Sequence, residues 1–227
     1  MKTKVTTLLR DSAAVRWTAL LLIALTMFAA YVGSDVFSPL KTLLEKNNLW
    51  NSTEYGWFSS SYSIFNVFLG MLIFGGLILD RKGIRFTGIL SCILMVGGIA
   101  LKYWAMTTPS LLETSMNFLG DQIKMQVFWA VVGFGIFGVG AEVAGITVSK
   151  AIVKWFSGKE LALAMGLQLS LARLGSAASL AFSPMIANHF GNVSASVLVV
   201  LIILILGSVC FLIYSFYDKK LDNQIKA

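Results

Sequence analysis

Gly76-Leu77-Ile78-Leu79-Asp80-Arg81-Lys82-Gly83-Ile84-Arg85 is a short charged segment set between two long apolar runs. Each flanking run holds the roughly 20 residues needed to cross about 30 Å of hydrocarbon. The segment between them therefore reads as a tight turn joining two membrane-crossing helices. Gly83 supplies a position where the backbone can adopt conformations other residues resist. Asp80 is placed to stand near the positive end of the helix that follows. Gly76, one glycine before the turn, predicts a close approach of two helices. Arg81, Lys82 and Arg85 put the turn in the cytoplasm, because cytoplasmic flanks are enriched in basic residues.

Working outward, six apolar stretches emerge, at about 16–37, 54–79, 86–107, 126–150, 161–188 and 193–217, with a polar cytoplasmic tail or the start of an interdomain linker over 218–227. They predict an all-α membrane protein, a bundle of six transmembrane helices in contact with the lipid bilayer. Only 13% of the 227 residues are charged and 57% are hydrophobic, against roughly 25% charged in soluble domains. The first stretch is longer than the roughly 7 to 15 residues of a signal-peptide core, so it is expected to be a retained helix.

Orientation follows from the eighteen Lys and Arg residues. Thirteen fall on one side: Lys2, Lys4, Arg10, Arg16, Arg81, Lys82, Arg85, Lys150, Lys154, Lys159, Lys219, Lys220 and Lys226. Lys41, Lys46, Lys102 and Lys124 fall on the other, and Arg173 lies within the fifth stretch. Both termini are thus expected in the cytoplasm. Trp50, Trp57, Trp104, Trp129 and Trp155 lie near the expected helix ends, where aromatic rings favour the headgroup layer.

The net charge of +7 comes from clusters between apolar runs rather than from one basic face, which argues against nucleic acid as a partner. Cys92 and Cys210 sit inside apolar runs without metal-ligand spacing and read as free thiols. No catalytic constellation, nucleotide-binding loop or cofactor motif is present in the sequence, so neither an enzyme nor a cofactor is expected.

The stretch over 76–85 resembles the signature of the major facilitator superfamily, Gly-x-x-x-Asp-Arg/Lys-x-Gly-Arg-Arg/Lys. Ile84 departs from it where the family carries a basic residue. A second stretch, Lys154-Trp155-Phe156-Ser157-Gly158-Lys159-Glu160-Leu161-Ala162, leads to Arg173-Leu174-Gly175. It is similar to the branch of that superfamily that contains the lysosomal dipeptide transporter and its bacterial relatives.

The resemblance implies that the chain is the N-terminal half of a twelve-helix fold. Gly76, Asp80, Arg81, Gly83 and Arg85 would then form a conformational gate, and access would alternate by rocking of two bundles. It also implies a partner, either a missing C-terminal six-helix half or a second copy. A fragment of a longer transporter is the expected origin.

Glu142 and Arg173 are the candidate binding residues. At about 1.5 Å per residue both fall near mid-membrane, where ionisable groups cost several kcal/mol and normally face a cavity or one another. Opposite charges on neighbouring helices suit the two ends of a zwitterion. The alternatives are a structural ion pair between two helices, or a carboxyl group that takes up a proton. Tyr62 and Asn66, one turn apart, and Tyr31 are further candidate lining residues. Asp35 is expected at a solvated rim.

The expected activity is secondary active or facilitative transport of a small polar solute, an amino acid or short peptide. The rival is a non-transporting bundle or assembly subunit. Leu8-Leu9 lacks the acidic residue that precedes a sorting dileucine, so a bacterial plasma membrane is the expected location.

Overall fold

The computed structural model describes residues 8–47, 49–68, 70–118 and 120–226, so Lys2 and Lys4 of the basic flank lie outside it. After a 3-10 turn at Leu9–Asp11 come α1 (Ala13–Asp35), a second 3-10 turn at Ser38–Leu40, and α2 (Lys41–Lys46). Then follow α3 (Ser52–Val67), α4 (Met71–Thr107), α5 (Ser110–Glu113), strands β1 (Ser115–Phe118) and β2 (Asp121–Lys124), α6 (Met125–Trp155), α7 (Leu161–Phe190) and α8 (Val193–Lys226). Among the described residues, five helical segments are long and apolar enough to cross a membrane. They include α4, α6, α7 and α8, with α1 counted through to Lys46.

The expected second span does not form one helix. α3 starts on a capping box, in which the Asn51 side chain accepts from the Glu54 backbone N–H and the Glu54 carboxylate accepts from that of Asn51, both at 2.8 Å. This reciprocal arrangement satisfies two otherwise orphaned donors. The helix stops at Val67, and the chain resumes at Met71 after Gly70 in the left-handed region, φ 58°, which a side chain disfavours.

At the decisive turn, Gly83 takes φ 82° and ψ 175° within α4. The two arms of α4 run in opposite directions along α6. Before the turn, Gly75 lies against Val143 and Asp80 meets Lys150. Beyond it, Leu94 and Met95 lie against Gly140, and Gly98 against Gly133. The first series ascends α6 and the second descends it, so the chain reverses at Gly83. Ile84, the departure from the signature, is buried in the core, where an apolar side chain suits the site better than a basic one.

Small residues let these helices touch. A methyl group on Gly138 would stand 2.6 Å from the Tyr62 carbonyl, and one on Gly98 would stand 2.5 Å from that of Gly133. α1 packs between α7 and α8. Gly175 abuts the Phe28 carbonyl, Gly207 meets Ala29, and the Thr26 hydroxyl donates to the Gly207 carbonyl at 2.9 Å.

Five expectations change. Gly76 faces open space, and its neighbour Gly75 makes the close approach, with a would-be methyl 2.5 Å from Val143. Trp50 and Trp155 are buried within the protein rather than at a lipid interface, because each indole N–H finds an internal acceptor, Gln126 at 3.0 Å and Asp218 at 3.3 Å. Lys102, counted on a solvent flank, is fully buried. The connection after α4 carries an antiparallel hairpin, Ser115 opposite Lys124 and Phe118 opposite Asp121, in an otherwise helical chain. The polar tail continues α8 to Lys226, since Asp218 and Leu221 turn inward and bury.

The N-terminal segment and the end of α8 meet, with the Leu9 N–H donating to Gln224 at 2.8 Å. This end of the bundle is called the terminal end below, and the opposite one the hairpin end.

Candidate functional site

A cavity of about 370 Å³ opens between α1, α3, α6 and α7. Its wall includes Tyr31, Asp35, Tyr62, Glu142, Gly145 and Arg173. That volume falls within the range of small-molecule sites. Gly145 supports the space: a methyl group there would meet only the Met27 side-chain end at 3.9 Å. The glycines before it, Gly135, Gly138 and Gly140, press against Phe65, Tyr62 and Met95. One face of α6 thus packs on helices while another lines the void.

Glu142 accepts a hydrogen bond from the Tyr62 hydroxyl at 3.0 Å. Arg173 lies with its guanidinium carbon 5.4 Å from the centre of the Tyr31 ring, a cation–ring contact. Glu142 and Arg173 face the same cavity and do not pair with each other. Neither takes part in any ion pair among the described residues. The arrangement leaves one carboxylate and one guanidinium presented to a common space, each steadied by a tyrosine.

The structure brings Glu142, Arg173, Tyr62 and Tyr31 together and leaves Asn66 out. The Asn66 amide donates to the Tyr62 carbonyl of its own helix at 3.2 Å, and its carbonyl oxygen is buried without a partner among the described residues. Asp35, expected at a solvated rim, lines the cavity and accepts from the Ser176 hydroxyl at 2.5 Å. Its position near the end of α1 suggested exposure, but the chain does not leave the bundle there. It turns through Ser38–Leu40 into α2, and the buried Val36, Phe37, Leu40 and Leu44 cover that end.

The sequence profile of the Major Facilitator Superfamily matches residues 23–226. The chain belongs to the major facilitator superfamily. Within it, the chain is 34% identical over 165 residues to the lysosomal dipeptide transporter MFSD1 of Homo sapiens, covering 71% of the chain and 31% of that relative. The Pongo abelii protein of the same name gives the same identity and coverage. That of Danio rerio is 28% identical over 208 residues, 86% of the chain and 41% of the relative. The chain therefore spans about a third of the length of the human and Pongo abelii relatives, and it falls in the MFSD1-like branch of the superfamily.

Of the superfamily motif at the terminal end, Asp80 pairs with Lys150 at 2.6 Å, and Arg85 pairs with Asp222 at 3.1 Å and reaches Asp218 at 3.8 Å. Lys154 binds both aspartates, at 2.7 Å and 2.6 Å. Asp218 also accepts from the Trp155 indole and the Tyr214 hydroxyl. Arg81 is exposed. Of these partners, Lys154 and Trp155 open the second stretch that resembles the family, while Lys150, Tyr214, Asp218 and Asp222 carried no motif in the sequence. Nearby, Arg16 pairs with Glu160 at 2.9 Å. Asp11 pairs with Lys159, and that lysine holds its carboxyl below the usual aspartate range.

Proposed function

We propose that this chain is one six-helix half of a transporter that carries a small zwitterionic solute, an amino acid or a short peptide such as a dipeptide, across a membrane. The observation that carries this reading is that Glu142 and Arg173 face one cavity without pairing. A structural ion pair would have joined them. Glu142 receives the ammonium group and Arg173 the carboxylate, by charge-assisted hydrogen bonds. Tyr62 orients the Glu142 carboxylate, and Tyr31 steadies the guanidinium.

The six passes are α1, α3 with the first arm of α4, the second arm of α4, α6, α7 and α8, with both termini cytoplasmic. The chain reversal at Gly83 supports this count, and the excess of basic residues at the terminal end supports the orientation. A C-terminal six-helix half or a second copy completes the cavity wall beside the exposed Arg173. Gly76, Asp80, Arg81, Gly83 and Arg85 act as the inner gate, closed through Lys150, Asp218 and Asp222. The bacterial plasma membrane remains our proposed location, on the basis of the residues before Leu8-Leu9.

Uptake of a labelled dipeptide into proteoliposomes tests the reading. Glu142→Gln and Arg173→Gln are each expected to abolish saturable uptake while the protein stays folded and monodisperse. Uptake unchanged in both variants would remove these residues from the mechanism and favour a non-transporting bundle.

A further inference from the structure

Lys102, on the second arm of α4, is fully buried, and its ammonium nitrogen has no hydrogen-bond partner among the described residues. What surrounds it is aromatic. The nitrogen lies 4.6 Å from the centre of the Phe37 ring, 4.9 Å from Phe134 and 5.5 Å from Phe58. Phe58 stacks on Phe134 with centres 4.5 Å apart, and Phe37 stacks on Trp50 at 5.4 Å. An ammonium among ring faces is attracted to their negative quadrupoles, and the attraction is strongest where water is excluded. A neutral amine has no such attraction.

The same three rings, Phe37, Phe58 and Phe134, line the cavity that Glu142 and Arg173 face. They come from the turn after α1, from α3 and from α6. Lys102 therefore stands behind a one-ring-thick wall drawn from three elements, and it touches all three rings at once. The acids and phenols nearby on those elements are engaged elsewhere. Asp35 accepts from Ser176, Glu54 from the backbone N–H groups of Asn51 and Lys124, and Glu142 from Tyr62. The Tyr55 hydroxyl points to the Phe37 carbonyl at 3.4 Å, and the Lys124 ammonium donates to the Leu49 carbonyl. Tyr103 follows Lys102 on its own helix and is partly buried.

We propose that Lys102 is a positioning residue whose positive charge latches Phe37, Phe58 and Phe134 together as a wall of the cavity toward the hairpin end. Loss of the charge frees the rings to part and opens the cavity there. The proposal rests on the cavity being the solute site, but its test needs no solute. In the full 227-residue chain with Cys92→Ala and Cys210→Ala, Ala30→Cys places a thiol at a buried cavity-lining position of α1. Its rate of reaction with a water-soluble maleimide is measured from mildly acidic to alkaline pH. Each rate is divided by that of Ser110→Cys, an exposed position outside the cavity, to remove the thiol's own ionisation.

With Lys102 present, the normalised rate is expected to be low at mildly acidic pH and to rise about tenfold as the amine loses its proton, a size set by desolvated cation–ring contacts. Lys102→Met, of similar length and uncharged, is expected to react fast at every pH. Lys102→Arg, which does not titrate, is expected to react slowly at every pH. If Lys102→Met does not fold, Phe134→Leu takes its place and is likewise expected to react fast throughout. A flat profile with Lys102 present, or Lys102→Met reacting at the unaltered rate, would overturn the latch. Either result would leave the uptake assignment of Glu142 and Arg173 standing or falling on its own test.

Discussion

At the terminal end of the bundle, Asp80, Glu160, Asp218 and Asp222 each have a basic partner within 3.1 Å. In the cavity, Asp35, Glu142 and Arg173 line one space, and their polar contacts are to neutral groups, the Ser176 and Tyr62 hydroxyls and the Tyr31 ring. Both regions concentrate charge in a chain that carries little of it. The difference lies in what completes each charge. At the terminal end the chain supplies its own counter-ions, so the charges hold helices α4, α6 and α8 in one arrangement. In the cavity it withholds them, and the proposed solute is the group that would supply them.

The largest expected effect is at the terminal end. Asp218, whose side chain is 2% exposed, is the hub that Lys154, Arg85, Trp155 and Tyr214 share. Asp218→Ala leaves the Trp155 and Tyr214 donors without their acceptor and Lys154 and Arg85 with Asp222 alone, and removing this buried partner should cost about 3 kcal/mol of stability. Thermal unfolding in detergent measures it. A loss below about 1 kcal/mol, the scale of an exposed pair, would show that the cluster is a solvated surface and erase the contrast.

Next come the cavity charges, where the contrast demands the reverse pattern. Glu142→Gln and Arg173→Gln should each weaken solute binding by about 30- to 100-fold, the loss of a hydrogen bond to a charged group. They should leave the unfolding temperature nearly unchanged, since neither charge has an internal ionic partner to strand. A large fall in unfolding temperature would place them among the structural charges.

Tyr62→Phe sharpens the comparison on a smaller scale. It removes the hydroxyl that orients the Glu142 carboxylate but leaves the carboxylate itself, so affinity should fall less than in Glu142→Gln, about fivefold or about 1 kcal/mol. Equilibrium binding to the folded variant checks it.

The smallest effect belongs to an exposed pair. Lys159 lowers the Asp11 pKa in the folded protein, so the pair's contribution is present above the unfolded aspartate value, about 3.9. It is lost as pH falls through the lower folded value. Acid titrations of the unfolding temperature should separate the unaltered protein from Asp11→Asn slightly above that window and bring them together below it. A separation that grows with acidity would reverse the sign.

Much of this molecule could be read from residue order. Hydropathy marks the long helices, because each must satisfy its backbone inside hydrocarbon. Gly83 marks the reversal, because its φ of 82° is one that few other residues accept. Glu142 and Arg173 stood out because charge at that depth is costly. What escaped depended on partners far along the chain. The break at Gly70 lies inside an unbroken apolar run, where nothing in the hydropathy distinguishes one helix from two. Lys102 reads as a flank residue until Phe37, Phe58 and Phe134 are seen around it. Asp35 reads as a rim until Ser38–Leu40 and α2 are seen to cover the end of α1. The choice between Gly75 and Gly76 as the packing glycine turns on helix rotation, which the motif does not encode.

Binding of a dipeptide and its two blocked forms, one N-acetylated and one with its carboxylate amidated, tests the central claim most directly when measured by calorimetry on the unaltered protein, Glu142→Gln and Arg173→Gln. The account predicts that each block weakens binding to the unaltered protein by about 30-fold or more. It further predicts that Glu142→Gln abolishes only the penalty for acetylation and Arg173→Gln only the penalty for amidation. Equal binding of all three ligands to the unaltered protein, or penalties that survive unchanged in both variants, would contradict it.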